Sequence, residues 1–211
     1  MDPLELLNHI TAKVYPGRPP AYSEAHVLKA LELIDSSKRI GRQNLSRELG
    51  LGEGTVRTLI RRLKDEDLIT VSRGGINLTT SGVNLLSYFR SLMKATPLPE
   101  TSITVAYRNY AVLVKGAASK INRGVEQRDA ALLAGAKGAT TLWYNGESFL
   151  MPGMEGSLEN SITCFLREHL NPEPRDVIII GTADNHLSAE IGAKSAALKL
   201  VKSLFTRGKA S

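Results

Sequence analysis

The sequence predicts an α+β protein of two domains, because the patterning of its 211 residues changes character midway. The first half repeats apolar residues at three- and four-residue spacing, as helices do, and ends in one short hairpin. The second half alternates strand-like and helical segments, as a mixed α/β domain does. Between them, Thr96-Pro97-Leu98-Pro99 sets two prolines at alternate positions, which stops a helix and favours an extended connecting path. The predicted domains are therefore residues 1–96 and residues 97–211, both of ordinary size.

The elements of the first half follow in order. Asp2 before Pro3, with Glu5 behind, is helix-start chemistry, and Leu4, Leu7 and Val14 mark a short amphipathic helix near residues 3–13. Pro16-Gly17-Arg18-Pro19-Pro20 breaks it. Ser23 is placed to cap a second helix carrying Val27, Leu28, Leu31 and Ile34, which Ser36-Ser37 ends. A brief helix over 42–49 is stopped by Gly50-Leu51-Gly52. A longer one over 53–65 carries Val56, Leu59, Ile60 and Leu63 on one face and Gly54, Arg57, Thr58 and Arg61 on the other. Two β-prone segments, 68–72 and 76–79, flank Arg73-Gly74-Gly75, whose glycines can supply the positive φ of a tight hairpin turn. A helix over 80–94 closes this half. Its Val83, Leu85, Leu86, Tyr88, Phe89, Leu92 and Met93 give more apolar surface than one packing face needs, so a homodimer contact is expected there.

In the second half, residues 103–114 read as strand with room for a turn at Arg108-Asn109, and residues 125–136 as an Ala-rich helix. Residues 140–144 and 148–151 read as a hairpin across Asn145-Gly146, the strongest short turn signal in the chain. Leu158, Ile162, Phe165, Leu166 and Leu170 mark a helix, Val177 to Ile180 a buried strand, and residues 188–204 a closing helix. Small residues on that last helix, Ala189, Gly192, Ala193, Ala196 and Ala197, predict close packing inside the domain in preference to a subunit interface.

Composition narrows the function. No apolar run approaches the roughly 18 residues of a membrane span, so no membrane partner is expected. Met1-Asp2-Pro3-Leu4-Glu5 lacks the features of a secretory signal, and the lone Cys164 cannot form an internal disulfide; both readings point to the cytoplasm. No enzyme and no cofactor are expected. Cys164 and His169 share a helix without an evident third partner, and His9, His26, His169 and His186 are scattered. Gly50-x-Gly52-x-Gly54 imitates part of a dinucleotide fingerprint but follows a helix, and no phosphate loop ending in Gly-Lys-Ser/Thr occurs.

The charge points elsewhere. The formal net charge is +6, and the window from Lys38 to Lys64 holds eight basic residues against Glu48 and Glu53, so the whole excess lies there. Helix, short helix, glycine turn, basic helix and Gly-Gly hairpin is the order of a winged helix-turn-helix. Double-stranded DNA is the expected partner, with residues 53–64 as recognition helix. Arg57 is placed to pair with guanine, Gly54, Thr55 and Thr58 to approach base edges or phosphates, and Arg61 and Arg62 to flank them on the backbone. Arg42 and Gln43 open the preceding helix near the DNA strand, and Arg73 with Gly74 sits at the wing tip. A docking surface for RNA or an acidic protein is the alternative that the same basic helix allows.

The run Leu45-Ser46-Arg47-Glu48-Leu49-Gly50-Leu51-Gly52-Glu53-Gly54-Thr55-Val56-Arg57, continuing through Leu63 and Asp67-Leu68-Ile69 to Gly74-Gly75, resembles archaeal winged-helix transcriptional regulators. The second half, with Gly124-Val125-Glu126-Gln127-Arg128-Asp129, Gly135-Ala136-Lys137-Gly138-Ala139-Thr140-Thr141 and Ile180-Gly181-Thr182-Ala183-Asp184, is similar to an uncharacterised C-terminal domain attached to one such family. The resemblance implies a regulator and supplies no ligand. Asp67 departs from the pattern, which often has glycine before the Leu-Ile pair. From the residues themselves, strand-to-helix junctions suggest a small-molecule effector pocket, with Arg128 as anion clamp, Asp129 or Asp184 as its counterpart, and Gly135 and Gly138 nearby. Arg128 and Asp129 as an internal ion pair is the equal alternative.

Overall fold

A computed structural model describes residues 1–13, 20–37, 39–154 and 158–205, and the chain divides into two compact units, Met1–Ser91 and Leu92–Ser211. The predicted break at Pro16-Gly17-Arg18-Pro19, together with Val14 and Lys38, lies outside the described residues.

The first unit starts with α1 (Pro3–Thr11), where the Asp2 carboxylate accepts from the Leu4 N–H at 3.3 Å and Leu4, Leu7 and Ile10 are buried. Helix α2 (Glu24–Ser37) buries Ala25, Val27, Leu28, Ala30, Leu31 and Ile34. Ser23 does not cap it through its hydroxyl as predicted. The Ser23 backbone N–H donates to His26 Nδ1 at 3.2 Å and its Oγ lies 2.9 Å from the same nitrogen, so the ring closes the first turn from the inside. Burial, helped by the charge of Lys29, holds His26 below the usual histidine range and keeps Nδ1 free to accept. Helices α3 (Arg42–Leu49) and α4 (Glu53–Asp65) follow, then strands β1 (Ile69–Ser72) and β2 (Gly75–Leu78), which pair antiparallel from Ile69↔Leu78 to Ser72↔Gly75. Ile40 adds a third strand position by bridging to Ile76.

Of the paired glycines only Gly75 has a positive φ, at 121°, so the hairpin does not use the doubly left-handed turn expected of Gly-Gly. Packing is the stronger requirement at Gly75: a Cβ there would come within 3.0 Å of the Arg39 backbone carbon. Helix α5 (Thr80–Leu92) ends two residues earlier than predicted, because Met93 already belongs to a strand. Leu85, Leu86 and Phe89 are buried, and only Val83 among its large apolar residues is exposed. The apolar excess that suggested a dimer contact is thus mostly consumed within the chain.

The second unit is a five-stranded sheet in the order β3-β4-β7-β5-β6, every pair antiparallel. Its strands are β3 (Met93–Leu98), β4 (Arg108–Val114), β5 (Gly138–Tyr144), β6 (Phe149–Leu150) and β7 (Val177–Ala183). Thr96-Pro97-Leu98-Pro99 is therefore not a free connecting path: Pro97 pairs with Tyr110 inside β3. An edge strand accommodates proline because one side of it has no ladder to complete. Residues 102–107 are turns and bends, so the predicted strand begins only at Arg108. β7, buried at all seven positions, is the centre of the sheet.

Helix α7 (Asn160–Leu170) packs Ile162, Leu166 and Leu170 with Ala111, Leu113, Ile178 and Ile180, which alternate along β4 and β7 toward one face. Helices α6 (Val125–Leu133) and α8 (His186–Phe205) cover the other face. The small residues of α8 do pack inside the domain: a Cβ on Gly181 would lie 2.5 Å from Ala189 O, and one on Gly192 would lie 2.5 Å from the Ala136 Cβ. Among the described residues no helix is long and apolar enough to cross a membrane.

Candidate nucleic-acid interface

The geometry of the interface is set by the turn between α3 and α4. Gly50 ends α3 in the left-handed region at φ 62° and gives its N–H to Arg47 and Ser46 carbonyls. Leu51 N–H also reaches Ser46 O at 3.1 Å, while the Ser46 hydroxyl donates back to Leu51 O at 2.5 Å. This double tie fixes the direction in which the chain enters α4. Gly52 caps α4 with extended backbone and no side-chain bond, so the first N–H groups of the helix stay open to an outside acceptor.

Helix α4 buries Val56, Leu59, Ile60 and Leu63 and thereby turns Glu53, Gly54, Arg57, Arg61 and Lys64 outward. The three cations repeat at helical spacing and make no ion pair among the described residues. Nothing lies within 4 Å of the position a Gly54 Cβ would occupy, so the leading turn presents bare backbone. Thr55 is half-buried, and the Thr58 hydroxyl donates to Gly54 O at 3.1 Å, leaving only its lone pairs for a partner. Arg42, Gln43, Asn44, Glu53 and Arg57 line a polar cleft of about 380 Å³ where the starts of α3 and α4 meet. The structure thus brings together Arg42, Gln43 and Arg57. Arg73 and Gly74 are exposed at the hairpin tip, where Ser72 Oγ accepts from Gly74 N–H at 3.2 Å.

Arg62 is the exception in this set. Its Nη1 donates to Ile10 O at 2.6 Å and Ala12 O at 2.8 Å, the free carbonyls at the end of α1. Tyr22 OH donates to the same Ile10 O at 3.1 Å; burial raises this phenol above its usual range, against the pull of the neighbouring Arg62 charge. His9 Nε2 lies 3.2 Å from Glu66, so α1 is fastened to α4 at two points. Sequence spacing placed Arg62 one step round from Arg61; a partner some fifty residues away in sequence could not be read from it.

The expected effector residues do not form one pocket. Arg128 lines a cleft at the N-terminal end of α6, whereas Gly135 caps the opposite end in the left-handed region at φ 92°. Gly138 begins β5 beside Val105 and Thr182, and Asp184 pairs on the surface with Lys137 at 2.6 Å. Asp129 meets Arg128 at 3.4 Å with both side chains more than half exposed, so the ion-pair alternative is present, though weak. The residues of the Arg128 cleft that sequence reasoning missed are Arg123 and Thr141, which converge through the αL turn at Gly124. Cys164 is exposed, and His169 stacks on Phe165 with ring centroids 3.9 Å apart. No group of three or more potential metal ligands occurs among the described residues.

Residues 25–93 match the family described as the CggR N-terminal DNA binding domain, and residues 105–200 match a domain of unknown function, DUF4443. The chain is 36% identical over 64 residues to the central glycolytic genes regulator of Bacillus subtilis, covering 30% of this chain and 19% of that protein. It is 31% identical over 74 residues to the HTH-type transcriptional regulator Ptr1 of Methanocaldococcus jannaschii, covering 35% of this chain and 50% of that protein. The chain therefore spans half or less of the length of these curated relatives. Among solved structures, hypothetical protein PH0730 from Pyrococcus horikoshii OT3 superposes with a TM-score of 0.73 at 28% identity, over 88% of this chain and 96% of that one. The first half of the chain is thus a winged helix-turn-helix similar to the DNA-binding domains of transcription regulators, and its second half is similar to the DUF4443 domain.

Proposed function

We propose that the protein is a sequence-specific regulator of transcription that inserts α4 into the major groove of double-stranded DNA. The observation that carries this reading is the unpaired cationic face of Arg57, Arg61 and Lys64, set opposite a buried apolar face and steered by a rigid glycine turn. Arg57 reads guanine, Gly54 and Thr55 let the helix approach the bases, and Thr58 offers its hydroxyl oxygen as an acceptor. Arg61 with Arg42 and Gln43 holds phosphates, and Arg73 at the hairpin tip reaches the neighbouring backbone or minor groove. Two copies bind as a homodimer, one recognition helix per half-site, and the C-terminal unit answers to a small molecule. The DNA-binding part of the chain ends within residues 91–97, where α5 gives way to β3.

Genomic footprinting followed by gel shifts across a salt series tests this. Arg57→Ala is expected to cost about 1–3 kcal/mol on the selected site and to relax its sequence preference. Arg61→Ala is expected to weaken all sequences equally and to lower the salt slope by about one. Equal retention of duplex DNA, RNA and an acidic polypeptide, with no footprint motif, would overturn the proposal.

A further inference from the structure

We infer that the cleft at the N-terminus of α6 binds the phosphoryl group of a small phosphorylated metabolite, gripped by Arg123, Arg128, Thr141 and the open N–H groups of the helix's first turn. This deepens the effector-sensing half of the proposed function and does not depend on DNA binding.

The cleft measures about 180 Å³, enough for a phosphoryl group and the atoms next to it, and both guanidinium-bearing residues line it. Gly124 caps α6 at φ 73° with no side-chain bond to the helix. The first backbone bond of the helix runs from Arg128 N–H to Gly124 O at 3.1 Å, so the N–H groups of the preceding turn have no partner within the helix. A helix start of this kind favours a negative group by charge and by geometry.

An independent feature points to a ligand. Thr141 is 4% exposed, and its Oγ1 has no hydrogen-bond partner. That oxygen would stand 3.2 Å from a Cβ built on Gly124, so the hydroxyl is pressed against the cap of α6 and has one donor to give. Its neighbour Thr140 differs, since its hydroxyl already donates to Ile103 O at 2.7 Å. Glycine at 124 is required twice over: the left-handed backbone excludes most side chains, and any Cβ would crowd Thr141.

The charge balance selects a dianion. Two guanidinium groups and a helix start oppose Glu126 and Asp129, both exposed and neither of them lining the cleft. Asp129 approaches a single Arg128 nitrogen at 3.4 Å and leaves the rest of the planar fork available for bidentate contact. Val125, Met151 and Pro152 supply an apolar rim for the carbon skeleton of the ligand, which a free inorganic ion would not use.

The test is calorimetry and thermal unfolding of the full chain with inorganic phosphate and glycerol phosphate, against chloride at matched ionic strength. Saturable binding and a rise in Tm are expected, larger for glycerol phosphate. The double variant Arg123→Ala/Arg128→Ala should weaken binding at least about tenfold. Thr141→Val, which keeps the shape and removes the hydroxyl, should weaken it about threefold to tenfold while leaving the unliganded Tm no lower. Arg57→Ala should bind phosphate as the parent does. Absence of a response beyond chloride up to about 10 mM ligand, or an undiminished response in the double arginine variant, would overturn the inference. Loss of operator binding with phosphate binding intact would remove the DNA-binding reading alone, and the converse would remove this site alone.

Discussion

The outward cations of α4 in the first unit and Lys194 of α8 in the second are treated in opposite ways. In the first, Arg57, Arg61 and Lys64 project from α4 with no ion pair among the described residues. In the second, Lys194 is 1% exposed, holds Glu190 at 2.6 Å one helical turn away and lies 5.6 Å from the centre of the Tyr110 ring. A cation that serves the fold is neutralised where it stands, because desolvating an unpaired charge is too costly. Cations left bare on a helix whose other face is fully packed are available to a partner outside the chain.

That contrast is broken most sharply at Glu190. Glu190→Ala takes from the buried Lys194 ammonium its 2.6 Å carboxylate partner, and the expected loss is about 3 kcal/mol of stability. Arg57→Ala should stay within about 0.5 kcal/mol, since nothing in the fold leans on that side chain. Denaturant unfolding of the two variants beside the parent checks both. A loss at Glu190 no larger than that at Arg57 would show that the buried pair and the bare cation are not treated differently.

The pair Arg61 and Arg62 sharpens the contrast within one helix. Arg62→Ala leaves the Ile10 and Ala12 carbonyls at the end of α1 without their charged donor, and about 1–2 kcal/mol of destabilisation is expected. Arg61→Ala should leave stability unchanged and act only on nucleic-acid affinity. Hydrogen exchange along α1 is the local readout: protection should fall in the first variant and hold in the second. Equal behaviour of the two would dissolve the distinction between a structural and a functional arginine.

The same pair shows what was legible in the sequence. Helical periodicity correctly separated Val56, Leu59, Ile60 and Leu63 from Gly54, Arg57 and Arg61, because a 3.6-residue repeat determines facing without knowledge of the partner. The helix order, the glycine turn and the hairpin were legible for the same local reason. Arg62 was not, since its role depends on where α1 ends in space. Pro97 misled for a related reason: proline excludes a central strand, yet β3 is an edge, and edge position is a property of the whole sheet. In the second unit the sequence marks Arg128, but the strand-to-helix junctions point to Asp129, Gly135, Gly138 and Asp184 as its companions. The residues that share its cleft, Arg123 and Thr141, come from the approach of α6 to β5, a long-range contact that carries no local signature.

The smallest effect tests a position where the sequence departs from the common winged-helix pattern. Asp67 follows α4 with φ at 51°, a left-handed conformation in which a non-glycine residue is strained. Local bonds offset part of that strain: Asp67 O accepts from the Thr79 hydroxyl at 2.5 Å, and its carboxylate accepts from the Ser81 hydroxyl at 3.3 Å. The first of these uses backbone and survives substitution; the second is exposed and contributes little. Asp67→Gly should therefore stabilise the first unit by about 0.5–1 kcal/mol, since relief of the Cβ clash exceeds the added freedom of the unfolded chain. Operator affinity should be unchanged or slightly raised, because a negative charge is removed near α4, the helix proposed to face DNA. A loss of stability in this variant would mean that the Ser81 contact, and not the backbone conformation, decides which residue stands between α4 and the β1–β2 hairpin.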